Sequence, residues 1–171
     1  MSDLEGRVRR LEDRARIEEL AVRYGFAIDD RNFAAIAALF AADATLRTKA
    51  GVIKGANLDE VVAYFRNHLP NLTPSNHFVH GHVIDFDPDD PDLARGLVSS
   101  HAEMVRHGIP MITAMRYQDT YRRVDGEFLF QDRVQTYMYF VDVREYADAL
   151  GSPLPIRSGQ VHQPADFPIV T

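Results

Sequence analysis

The stretch MITAMRYQDTYRRVDGEFLFQDRVQTYMYFV, running from Met111 to Val141, decides the fold. Two long runs rich in Tyr, Phe, Val and Thr flank Asp125-Gly126. An Asp-Gly pair between such runs is a strong hairpin signal, because both central residues of a type I′ turn need positive φ. The spacing predicts strands over Met111–Arg123 and Glu127–Val141. The same period of two extends upstream. Ala94–Arg106 reads as a strand ended near Gly108–Pro110, and His77–Phe86 as another, ended by Asp-Pro-Asp-Asp-Pro at 87–91. From His77 onward the chain is an antiparallel meander.

Before His77 the period is helical. Ser2-Asp3-Leu4-Glu5 fits a capping box. A narrow apolar stripe follows at Leu4, Val8, Leu11 and Ala15, then a wider one at Ile17, Leu20, Ala21, Tyr24 and Ile28. One helix over about residues 3–28 is expected. Its charged first half suits either a neighbouring subunit or solvent. Asp29–Asn32 break the pattern, with Asp30 the better placed to cap the second helix. Phe33, Ile36, Ala37 and Phe40 predict that helix, a short one, and Thr45–Arg47 with Val52–Lys54 a small hairpin. Asn57-Leu58-Asp59-Glu60 caps a third helix carrying Leu58, Val61, Val62, Phe65 and Leu69, stopped by Pro70. Residues 151–171 hold Pro153, Pro155, Pro164 and Pro168 and read as an extended tail packing on the surface. Three helices and a meander over residues 1–150 imply an α+β domain. Its helices cover one face of a curved antiparallel sheet, enclosing a cavity suited to a small molecule.

Composition narrows the function. The chain has 171 residues, 46% apolar and 26% charged, which suits one globular domain and not a disordered chain. No apolar run approaches the ~18 residues of a membrane span. Met1–Arg16 is too charged for a signal peptide, so a cytoplasmic location is expected. The absence of cysteine excludes disulfides, thiolate catalysis and cysteine-ligated zinc. Nineteen basic against 25 acidic residues, a net charge of −6, argue against nucleic acid or an anionic membrane as partner. No GxGxxG, Gly-Lys-Ser/Thr or GxSxG motif occurs.

Histidine carries the remaining chemistry. His77, His80, His82 and His101 fall on expected strands. Imidazole is the one side chain that titrates near neutrality without help. Strict alternation groups His77 with Val79, Gly81 and Val83, and puts His80 with His82 on the other face. His77 with His101, or His80 with His82, could line the concavity. A metal on His80 and His82 is the weaker reading, since no third convergent ligand is identifiable. Asp29 continues a helix stripe through Val22 and Phe26, where its carboxylate could fix an imidazole tautomer. Phe26, Phe33, Phe40, Phe65, Met104, Met111, Met115 and Tyr137 supply an apolar core or pocket.

Ile17-Glu18-Glu19-Leu20-Ala21-Val22-Arg23-Tyr24, Ile28-Asp29-Asp30, Phe33 and Phe40-Ala41-Ala42-Asp43-Ala44 together resemble the opening of SnoaL-like domains, of the nuclear transport factor two superfamily. The likeness continues through Ser75-Asn76-His77-Phe78-Val79 and Arg116-Tyr117-Gln118-Asp119 to Tyr121–Phe128, covering roughly residues 10–142. It implies a cone-shaped α+β fold. Within the group the chain is most similar to scytalone dehydratase, bile-acid 7α-dehydratase and hexachlorocyclohexane dehydrochlorinase. Those enzymes set an aspartate at the end of the first helix against a strand histidine, matching Asp29 and His77 here. A tyrosine of the bile-acid enzyme matches Tyr24, and a second histidine of scytalone dehydratase matches His101. The polar pair that scytalone dehydratase carries on its penultimate strand falls near Met115 and Tyr117, which argues against that substrate. The resemblance thus implies a cofactor-independent lyase or isomerase without a metal, acting on a small hydrophobic ring compound, as a homodimer or homotrimer. The alternative is a non-catalytic binding or assembly module of the same fold.

Overall fold

A computed structural model describes residues 3–167. The helices are α1 (Asp3–Asp29), α2 (Phe33–Ala38), α3 (Leu58–His68) and α4 (Tyr146–Leu150). The strands are β1 (Phe40–Thr48), β2 (Ile53–Gly55), β3 (Leu72–Phe86), β4 (Leu93–Arg106), β5 (Ile109–Val124) and β6 (Glu127–Asp142). The expected cap at Ser2 and the last tail proline, Pro168, lie outside the described residues.

The α+β class and the long meander hold. The strands form one curved, unclosed sheet in the order β2-β1-β6-β5-β4-β3. All pairings are antiparallel except β1 with β6, which run parallel. Both tight hairpins are two-residue turns with positive φ at each position: Asp125 (51°) with Gly126 (89°), and His107 (50°) with Gly108 (79°). This conformation matches the twist of the flanking strands.

Two local expectations are corrected. Phe40 opens β1 and does not close α2. The Leu39 carbonyl accepts the Phe130 N–H at 2.9 Å, and Phe40 pairs with Phe130, so sheet pairing overrides the helical period. Asn32, not Asp30, caps α2, accepting the Ala35 N–H at 3.0 Å. Asp30 is still engaged by the end of α1, its N–H donating to the Phe26 carbonyl. Asn57 caps α3 as expected, and Glu60 reaches back to the Ala56 N–H. The short helix α4 was not visible in the pattern.

The main core lies between α1–α3 and the inner sheet face. Ile17, Leu20, Ala21 and Ile28 of α1 meet Val98 and Ala102 of β4, Tyr121 of β5 and Phe130 of β6. The opposite face carries a smaller cluster of Ala114, Tyr139 and Val141 under Ala149 of α4. Residues 155–166 run beside the outer half of β6. The Arg157 N–H donates to the Phe140 carbonyl (2.8 Å) and the Asp166 N–H to the Tyr137 carbonyl (2.8 Å).

Bulges set which side chains face inward. On β3, Val79 pairs with Ser100 but His82 with Val98, so one extra residue is accommodated at 80–81. On β6 the same happens at Gln131 and at Met138. The first of these turns Arg133 into the core, where it is fully buried. There its Nε and Nη2 donate to the two Asp119 carboxylate oxygens, both at 2.8 Å. The guanidinium carbon sits 4.1 Å from the Tyr24 ring centroid, 4.2 Å from Tyr117 and 3.9 Å from Phe130. Tyr121 donates to Asp119 at 2.8 Å and lies 3.0 Å from His82 Nε2. Gly96 makes room for this ring, since a Cβ there would fall 2.7 Å from Tyr121 Cε2.

Removing one member of a buried ion pair strands the other's charge. Arg133→Met is therefore expected to lower the unfolding free energy by ~3–5 kcal/mol in urea titrations. An unshifted midpoint would show that Asp119 is not held as a buried carboxylate.

Candidate functional site

The site begins where α1 stops. The Asn32 N–H donates to the Ala27 carbonyl (3.0 Å) and the Arg31 N–H to that of Ile28 (3.2 Å), the two bonds of a Schellman ending. Arg31 takes the left-handed position at φ 53°, usually given to glycine. Its guanidinium donates to the carbonyls of Asp29 and Leu72 and, at 3.0 Å, to Ser75 Oγ. This clamp holds the end of α1 on β3.

Asp29, the last residue of α1, reaches β3 from there. Its Oδ2 accepts the His77 backbone N–H at 2.7 Å. Its Oδ1 accepts Ser75 Oγ–H at 2.8 Å and lies 2.7 Å from His77 Nδ1. The two side chains are only 13% and 11% exposed. Burial alone would raise the Asp29 carboxyl, but the bonds and charge of His77, with Ser75, outweigh it and hold it below its usual value. An ionised carboxylate can only accept, so Nδ1 carries the proton in the neutral ring and Nε2 keeps its lone pair. Gly25 faces His77 across the α1–β3 contact, where a Cβ would sit 3.4 Å from His77 Cβ, at ordinary contact distance with no room for a larger side chain.

His77 and Tyr24 line a cavity of about 560 Å³ under α3 and the inner sheet face. Phe65, Met104, Met115 and Tyr137, all expected as pocket or core, share its wall. Phe40 and Met111 are buried core instead, Phe33 packs against that core, and Phe26 is 64% exposed. Tyr24 is itself buried. Burial raises its pKa, with Arg133 pulling the other way, so its phenol stays protonated near neutrality.

Of the four residues singled out in the sequence, the structure brings Asp29, His77 and Tyr24 to one place and leaves His101 out. His77 pairs with Ala102 and Phe78 with His101. Paired residues share a face, so His101 points outward once His77 points in. There its Nδ1 lies 2.8 Å from His80 Nε2. The bulge at 80–81 also separates His80 from His82, which turns inward to Tyr121, so these two do not converge as the metal reading required. The Asp29 stripe needs correction too. Val22 and Phe26 are exposed, and Asp29 meets the sheet from the last turn of the helix, not from a continuous apolar face.

Arg133, Lys54 and Gln135 were missed in the sequence. Lys54 Nζ and the Gln135 amide oxygen are hydrogen-bonded in the cavity wall. A bulge has no compositional mark, and Lys54 stands on a strand of three residues, too short to show a face.

The model for SnoaL-like domains matches residues 9–134. No curated protein matches the chain at a significant level. Among solved structures, a Novosphingobium aromaticivorans protein provisionally named a scytalone dehydratase superposes with a TM-score of 0.72 at 19% identity, covering 95% of this chain and 96% of its own. A type 2 hexachlorocyclohexane dehydrochlorinase (LinA) gives 0.72 at 18% identity, over 95% and 97%. LinA itself gives 0.72 at 23% identity, over 84% and 95%. At such identities the likeness establishes the fold and not the reaction. The family match spans most of the chain, and the long helix, curved sheet and helix-capped cavity agree with it: the protein belongs to the SnoaL-like domain family of the nuclear transport factor two superfamily.

Proposed function

We propose that the protein is a cofactor-independent lyase of the dehydratase type. Its substrate would be a hydrophobic ring compound such as a steroid, a polyketide or an aromatic catabolite. The observation that carries this reading is the 2.7 Å bond between His77 Nδ1 and Asp29 at the wall of an apolar cavity.

In this mechanism His77 Nε2 takes a proton from a carbon next to a carbonyl. The C–H electron pair becomes the new C=C bond. The C–O bond on the adjacent carbon breaks, and the hydroxyl takes the Tyr24 phenolic proton and leaves as water. The imidazolium proton and the phenolate recombine through solvent. Asp29 touches no reacting atom; it is a positioning residue that fixes the Nδ1–H tautomer and stabilises the imidazolium. The same dyad would run an isomerisation by returning the proton to another carbon. A purely binding module expects no Asp29–His77 contact, so the bond favours catalysis.

His77→Gln is expected to lower kcat by ~10²–10⁴-fold, and Asp29→Asn by a comparable factor, with the circular dichroism of both unchanged. A folded His77→Gln protein with full turnover of an identified substrate would sink the reading.

Gly25 offers a graded test. Gly25→Ala adds a Cβ at ordinary contact distance from His77 and should raise stability by up to ~1 kcal/mol with activity retained. Gly25→Val adds methyls that press on His77, and should cut kcat while the protein stays folded. Equal kcat in the two variants would detach the α1–β3 approach from catalysis.

We also propose a cytoplasmic homodimer or homotrimer. Leu4 and Leu11 on the first turns of α1 are each 66% exposed, an apolar stripe suited to a neighbouring copy. Light scattering should give twice or three times the chain mass, and a monomer mass would overturn this.

A further inference from the structure

We propose that the substrate carries a carboxylate, and that Lys54 and Arg106 bind it inside the cavity that holds His77. This rests on the preceding reading only in taking that cavity as the active site.

Among the described residues, both cations line the cavity, and no aspartate or glutamate does. Lys54 Nζ donates to Gln135 Oε1 and lies 5.0 Å from the Tyr64 ring centroid. Arg106 Nη1 donates to the Ser158 carbonyl at 2.7 Å, and its guanidinium carbon lies 5.6 Å from the Phe140 centroid. Among the described residues neither has an ion-pair partner, whereas Arg133, the fully buried cation, is paired with Asp119 through Nε and Nη2. Burial and the charge of Arg106 push Lys54 down to about 8. A chain of net charge −6 thus brings two unpaired, mutually repelling cations to one largely apolar wall.

Burying an unpaired ammonium is unfavourable, and so is setting a guanidinium beside it. A ligand anion removes both penalties at once. The planar fork of Arg106 fits a carboxylate in bidentate fashion, with Lys54 as a second point charge. Placement suits such a ligand. Ala102 is the β4 partner of His77, and Arg106 lies four residues further along the strand, on the same face, roughly 13 Å away at about 3.3 Å per residue. Met104 lies between them and shares the cavity wall with Phe65, leaving an apolar bed for the ring.

The test is calorimetric titration of the full chain with 2-naphthoate and with its neutral counterpart, 2-naphthamide. The wild type should bind the acid at least about tenfold tighter, the margin of a charge-assisted pair. Lys54→Met and Arg106→Met should each erode that preference while amide binding stays within about twofold. The pH dependence of the wild type needs no variant. The titratable and charged groups that share the cavity with Lys54 are Tyr24 of α1, Tyr64 and His68 of α3, His77 of β3, Arg106 of β4, His107 of the turn that follows, Tyr117 of β5 and Tyr137 of β6, and Gln135 accepts from its Nζ. Burial raises Tyr64 to about 12 and Tyr137 further still, so neither tyrosine ionises in the window of interest. Lys54 is charged below about 8, so naphthoate binding should weaken as pH rises through that value and amide binding should not. Equal affinity for acid and amide, no naphthoate binding, or a preference that survives both substitutions overturns the proposal. His77→Gln separates the two claims, since it should cut turnover by ~10²–10⁴-fold yet keep the preference. Loss of turnover without any acid preference would overturn the carboxylate alone, and full turnover with the preference intact would overturn the elimination chemistry alone.

Discussion

The carboxylate of Asp29 joins the end of the long helix to the middle of the first long strand, and the inner layer is arranged around that junction. An aspartate is poorly placed there on local grounds. The C-terminal end of a helix favours cations, and an anion in the last turn costs about 0.3–1 kcal/mol. No basic residue occupies the last turn of α1 to offset it. The compensation comes from β3: one backbone N–H, one imidazole and one hydroxyl, all on the same carboxylate. Arg31 adds a second tie from the residue that ends the helix. A locally disfavoured side chain held in place by several distant partners is the kind of inconsistency that accompanies a functional site.

The dyad depends in turn on a rigid deep core. Tyr24 is wedged among Phe40, Phe65, Tyr117 and Phe130 in edge-to-face and near-perpendicular contacts. The Arg133 guanidinium stacks against the same ring. A buried ion pair is often no more stabilising than a well-packed apolar substitute. Its geometry here offers another reason for its presence: Arg133 fixes the plane of Tyr24 one and a half turns of helix before Asp29, so the phenol and the dyad share one rigid support. The neighbouring His82 is kept neutral by burial and caps the chain of Tyr121, Asp119 and Arg133.

The long strands, the Asp125-Gly126 turn and the end of α1 at Asp29 could all be read from the residues, because each has a local cause. The pairing of Asp29 with His77 came from resemblance, not spacing, and the geometry agrees with it. The features that stayed hidden have one cause in common. A bulge adds a residue without any signature in composition, and every side chain beyond it changes face. Strict alternation therefore put His80 with His82 and gave no hint that Arg133 points inward. His101 needed the β3–β4 register, which no property of either strand alone supplies. Phe40 illustrates the converse: a helical period too short to resist sheet pairing with β6.

Charge is distributed differently inside the cavity and over the molecule as a whole. The excess of acidic residues gives the molecule a negative field at a distance, which would slow the approach of an anion. That field is screened within about 8–10 Å in physiological salt. Inside the cavity the balance reverses. Asp29, the carboxylate beside His77, lies behind the imidazole and is committed to it, whereas Lys54 and Arg106 line the cavity. A nearby, poorly solvated cation outweighs distant, screened anions. The same arrangement favours the reaction proposed here. In that proposed step negative charge would spread over the substrate as His77 took the proton, and a cavity wall with no carboxylate among the described residues would not oppose it.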